Sequence, residues 1–76
     1  MDVKKDVLDI VAEYIDQPAS EIDTATGLKF IGLNSFVTFS MVAAVEEHFS
    51  ISIPDSKLRE FQTLDDIISF IEQELS

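Results

Sequence analysis

Few side chains in this 76-residue chain have the chemistry for covalent or acid–base work. It has no cysteine, a single histidine at His48, and 15 Asp and Glu against 5 Lys and Arg. One serine is set apart by its surroundings: Ser35, in the run Gly32-Leu33-Asn34-Ser35-Phe36. It stands where a loop gives way to a helix, with a large apolar residue directly after it. Two readings compete. Asn-Ser is a common helix start, so the pair caps the helix; or Ser35 is a hydroxyl to which something is attached.

Catalysis by these residues fails on geometry. Ser35 and His48 lie on one predicted helix, 13 residues apart, which separates them by about 20 Å. A general base works within roughly 3 Å of the proton it takes. His48 has Glu47 beside it but no second His or Cys at a ligand spacing, so it reads as a solvated helix histidine and no metal site is expected. Gly27 and Gly32 form neither a P-loop nor a dinucleotide fingerprint, because no Lys-Ser/Thr follows them. The carboxylates fall mostly opposite the apolar stripes, as solvated charge. The expectation is a protein that catalyses nothing.

Length and charge narrow the class. A single domain over 1–76 is expected, and a chain this short buries roughly 60% of its unfolded surface. Without cysteine, the 46% apolar content must build the core alone. The net charge of −10 argues against nucleic acid and anionic membranes. It favours partners with basic docking faces, and it also keeps a small protein soluble. No apolar run approaches the roughly 20 residues of a membrane span. The start, MDVKKDVLDI, is acidic and amphipathic, unlike a signal or transit peptide, so a cytoplasmic monomer is expected.

The elements that must position Ser35 follow from periodicity. Val3, Val7, Ile10, Val11, Tyr14 and Ile15 recur at helical spacing, with Asp2 as N-cap and Gln17-Pro18 as the stop. Residues 17–34 read as one long connection with a helical turn near Leu28 to Ile31, pinned by Ile22, Leu28, Ile31 and Leu33. Ser35 to Phe49 is an uninterrupted helix. Ser50 to Pro54 is an extended connection holding Ile51 and Ile53, and Asp55 to Phe61 a short helical piece. Thr63-Leu64-Asp65-Asp66 resembles a capping box that opens a last helix with Leu64, Ile67, Ile68, Ile71 and Leu75 in register and Phe70 on its flank. The fold class is all-α: a small four-helix bundle, three longer helices and one short, with a long loop between the first and second.

The second helix has more apolar residues than one buried stripe can use. A wheel puts Val42, Val45 and Phe49 inward, with Phe39 or Met41 at the border, and leaves Phe36, Val37 and Ala43 partly outside. A solvated apolar strip with Glu46 and Glu47 at its far end suits docking.

The ordered set GLNSF, VAAVEEHFSISIP (42–54) and FQTLDDIISFIEQEL (61–75) resembles the acyl and peptidyl carrier protein superfamily. Its pattern is Gly-x-Asp/Asn-Ser-Leu at the head of the second helix, then Leu/Val-Glu-Glu-x-Phe, then Ile-x-Ile-Pro, and the likeness runs from about residue 3 to 75. The resemblance implies that Ser35 takes 4′-phosphopantetheine from coenzyme A, transferred by a phosphopantetheinyl transferase. The arm's thiol then holds acyl or aminoacyl groups for partner enzymes of fatty-acid, polyketide or related biosynthesis. It also implies a partner face of Asn34, Phe36, Val37, Phe39, Ser40, Ala43, Glu46 and Glu47. This chain departs from the pattern at Asn34, Phe36, Val37 and Ser40, where Asp, Leu and acidic residues are usual. A specialised carrier with dedicated partners is expected. The competing reading is an unmodified acidic helical module that binds a partner through the same face.

Overall fold

The computed structural model describes residues 2–76. Four α-helices run Val3–Ile15 (α1), Ser35–Phe49 (α2), Asp55–Leu58 (α3) and Leu64–Leu75 (α4). Among the described residues there is no strand, only an isolated bridge between Gly27 and Thr63. The expected helical bundle is the observed fold, measuring 28 × 26 × 19 Å.

Each long helix starts on a side-chain cap. Asp2 accepts from the Lys5 amide at 3.0 Å and Asn34 from the Val37 amide at 2.9 Å. Thr63 and Asp66 form the reciprocal box: the Asp66 amide donates to Thr63 Oγ1 at 3.2 Å, and the Thr63 amide to Asp66 Oδ2 at 3.1 Å. Two of the stops are less expected. α1 ends on Asp16 in the left-handed region (φ 56°), before the Gln17-Pro18 pair thought to stop it, and α2 ends on Ser50 in the same conformation. α3 stops at Leu58, shorter than the predicted span to Phe61, because residues 59 and 60 continue only as a turn.

The core gathers Val7 and Val11 of α1, Met41 and Val45 of α2, and Ile67 and Ile71 of α4, all fully buried. α1 packs against both other long helices. On α2 the border question resolves: Met41 is inside and Phe39 is outside. Tyr14 and Leu75, which share their helices' apolar spacing, lie at helix ends and are exposed.

The long connection is ordered by its own bonds. It contains two 3-10 turns, Ala19–Glu21 and Leu28–Phe30; the second is the expected one and the first was hidden behind Pro18. The Ala25 amide and the Thr26 hydroxyl both donate to Asp23, at 2.9 Å each, and hold its carboxyl below the usual carboxylate range. The segment is then tied to the head of α4: the Leu28 amide donates to the Gln62 carbonyl at 2.9 Å, and the Asp65 amide to the Thr24 carbonyl at 3.0 Å. Ile22, Leu28 and Leu33 are buried beneath it and Ile31 is half-buried.

Candidate functional site

The chain enters α2 through a turn that only certain residues allow. Gly32 has φ +93°, a conformation that costs an L side chain dearly. Leu33 follows, 3% exposed, with its amide donating to the Leu28 carbonyl at 3.1 Å. One side of the junction is thereby anchored. Asn34 then sits at the N-cap with extended backbone, and its side chain satisfies the Val37 amide.

Ser35 is the first helical residue, and it is exposed. Its hydroxyl makes no hydrogen bond to any described residue, because the capping position is already filled by Asn34. Capping and attachment therefore do not compete. No acidic residue occupies the first turn of α2, and the amides of Ser35 and Phe36 have no acceptor among the described residues. These unpaired amides and the helix dipole favour an anion esterified to Ser35.

Beside Ser35 lies an open groove of about 930 Å³ between the Leu28–Phe30 turn, the first half of α2 and the α3 region. Leu28, Phe30, Leu33, Phe39, Val42, Leu58 and Phe61 make it mostly apolar, and Lys29, Arg59 and Asp55 are the charged residues at its walls. Thr38 also lines the groove, and its hydroxyl donates to the Leu33 carbonyl at 3.2 Å. Nothing walls Ser35 in, so a phosphodiester has room there.

The rest of the expected face spreads along one side of α2. Phe36 and Phe39 are 81% and 64% exposed, and Ser40, Ala43 and Glu47 are exposed on the same stripe. Val37 is half-buried and packs against the core. Glu46 is half-buried, and its Oε2 accepts from the Ile53 amide at 2.7 Å. That bond straps the 50–54 segment to α2, a structural task the sequence reading missed. Of the two glutamates, Glu47 lies on the exposed stripe, and Glu46, about 100° away around the helix, is engaged by the Ile53 amide. His48 is the solvated residue expected, reaching Asp6 of α1 at 3.3 Å.

The sequence reading also missed the groove. Lys29 and Phe30 come from one turn and Arg59 from the chain after α3, and only the fold brings them together at the side of Ser35.

A free hydroxyl heading a helix, beside an open apolar groove, has the geometry of a covalent attachment site on a carrier. Residues 5–71 match the family model of the phosphopantetheine attachment site. The chain is 33% identical over 75 residues to an acyl carrier protein of Porphyromonas gingivalis, covering 97% of this chain and 96% of that one. It is 35% identical over 75 residues to an acyl carrier protein of Phenylobacterium zucineum, covering 97% and 95%. The chain belongs to the phosphopantetheine-binding acyl carrier family. Family members are carriers, and the chain is accordingly not an enzyme.

Proposed function

We propose that Ser35 is the attachment residue and that this chain presents acyl groups to a small set of dedicated enzymes in the cytoplasm, as a monomeric single domain. The observation that supports it most is the division of labour between Asn34 and Ser35. Asn34 caps the helix, so the Ser35 hydroxyl is free for a transferase.

In the loading reaction Ser35 Oγ bonds to the phosphorus that bears pantetheine. The phosphorus–oxygen bond inside the pyrophosphate of coenzyme A breaks, the nucleotide half leaves, and the hydroxyl proton passes to a base of the transferase. When bound, the group supplies a thiol that holds acyl chains as thioesters, chemistry that a chain without cysteine cannot supply itself. Gly32 and Leu33 fix the direction of the hydroxyl, and the free amides of Ser35 and Phe36 favour the phosphate charge. Phe36, Val37, Phe39, Ser40, Ala43 and Glu47 would line the path by which partner enzymes approach. The apolar groove beside Ser35 suits an acyl chain close to its point of attachment.

Incubation of the unmodified protein with coenzyme A and a broad-range transferase should raise its intact mass by one phosphopantetheine unit. Ser35→Ala should show no gain. A gain in Ser35→Ala equal to the parent's, or none in the parent, defeats the assignment.

A further inference from the structure

The net charge of −10 suggests basic partners, yet the acids are not where the site is. Between Asp23 and Glu46 the chain contains no Asp or Glu, and this interval holds the Leu28–Phe30 turn, Ser35 and most of α2. Of the two acids on α2, Glu46 is engaged by the Ile53 amide. Glu47 lies 12 residues beyond Ser35, about 18 Å along the helix. That exceeds the Debye length of roughly 10 Å at 0.1 M salt.

What surrounds Ser35 is aromatic and mildly cationic. Three of the six phenylalanines are strongly exposed, Phe30, Phe36 and Phe39, at 74%, 81% and 64%. Phe36 and Phe39 are one helical turn apart, on the same stripe. Phe30 lines the same groove as Phe39, with the Lys29 ammonium 5.2 Å from its ring centre. Lys29 and Arg59 line this groove and neither makes an ion pair among the described residues. Asp55 is the only acid on its walls. Exposed aromatic clusters of this kind are costly in water and are typical anchors of protein interfaces.

From this face, and resting on the carrier reading above, we infer that the enzymes serving Ser35 receive it in an apolar socket that takes Phe36 and Phe39, with an uncharged rim facing Lys29 and Arg59. A basic patch would meet like charge here. The acids of α1 and α4 keep the protein soluble and take no part in this contact.

The probe is a broad-range phosphopantetheinyl transferase with coenzyme A, and the readout is the KM and kcat for the unmodified carrier. KM should change by less than about twofold between about 20 and 300 mM salt. Phe36→Ser and Phe39→Ser should each raise KM about tenfold with kcat within about twofold. Reversing both cations together, Lys29→Glu with Arg59→Glu, should change KM by less than about twofold. All four side chains are exposed, so circular dichroism should report unchanged folding. A KM that climbs tenfold with salt, serine variants equal to the parent, or a charge reversal that shifts KM beyond that margin would each overturn the inference. So would sedimentation showing a dimer that Phe36→Ser dissociates, since the face would then belong to a second copy. No mass gain at any carrier concentration would instead sink the attachment reading itself.

Discussion

α2 and α4 are similar in length, 15 and 12 residues, and both are rich in apolar side chains. In α4 these segregate: Leu64, Ile67, Ile68 and Ile71 are buried, while Asp65, Asp66, Ser69, Glu72 and Gln73 face water. α2 shows no such division. Met41, Val42, Val45 and Phe49 are buried, yet Phe36 and Phe39 stand in water on the other side. A helix that only had to fold would follow α4. The apolar surplus on the solvent side of α2 takes no part in the core, to which the two helices otherwise contribute four buried side chains each, and it is this surplus that the proposed partner contact would use.

Truncation is the sharpest way to break that comparison. Met41→Ala and Ile71→Ala each remove a fully buried side chain and should cost about 2–5 kcal/mol, enough to leave so small a domain largely unfolded. Phe36→Ala removes a larger side chain and should change stability by less than about 0.5 kcal/mol. Urea denaturation followed by circular dichroism measures all three. A Phe36→Ala loss as large as that of Met41→Ala would mean the outer face of α2 is part of the core.

The two helix heads differ in the same spirit. At α4, Asp66 Oδ2 accepts from both the Gln62 and Thr63 amides, and Thr63 returns a bond. At α2 one acceptor, Asn34, serves one amide and leaves its neighbours free. Asp66→Ala should therefore cost about 2 kcal/mol and Asn34→Ala about 1 kcal/mol, by the same denaturation. Equal losses would mean that the one bond at Asn34 contributes as much as the reciprocal box at Thr63 and Asp66, and would erase this difference between the two heads.

Much of this was legible in the sequence. Periodicity located the three long helices, and Thr63 and Asp66 announced their box by spacing alone. Ser35 stood out because Gly32, Asn34 and Phe36 surround it. What spacing could not show are the features that depend on distant segments meeting. The strap from Glu46 to the Ile53 amide needs the chain to turn back after α2, and the meeting of Lys29 and Arg59 at one groove needs the whole fold. The left-handed ends at Asp16 and Ser50 were hidden for another reason: neither is glycine, the residue that normally marks such a stop.

That last point gives the smallest test, and it compares the two ends of α2. Gly32 before the helix has the residue its positive φ asks for, whereas Ser50 after it, at φ 56°, does not. A left-handed non-glycine costs roughly 1–2 kcal/mol, and glycine returns part of that through the greater freedom of the unfolded chain. Ser50→Gly should thus stabilise the fold by about 0.5 kcal/mol, a small upward step in melting temperature. The amide of residue 50 still donates to the Glu46 carbonyl, so the cap itself is retained. If Ser50→Gly is destabilising, the serine must hold the turn that brings Ile53 back to Glu46, and the strap would begin at Ser50.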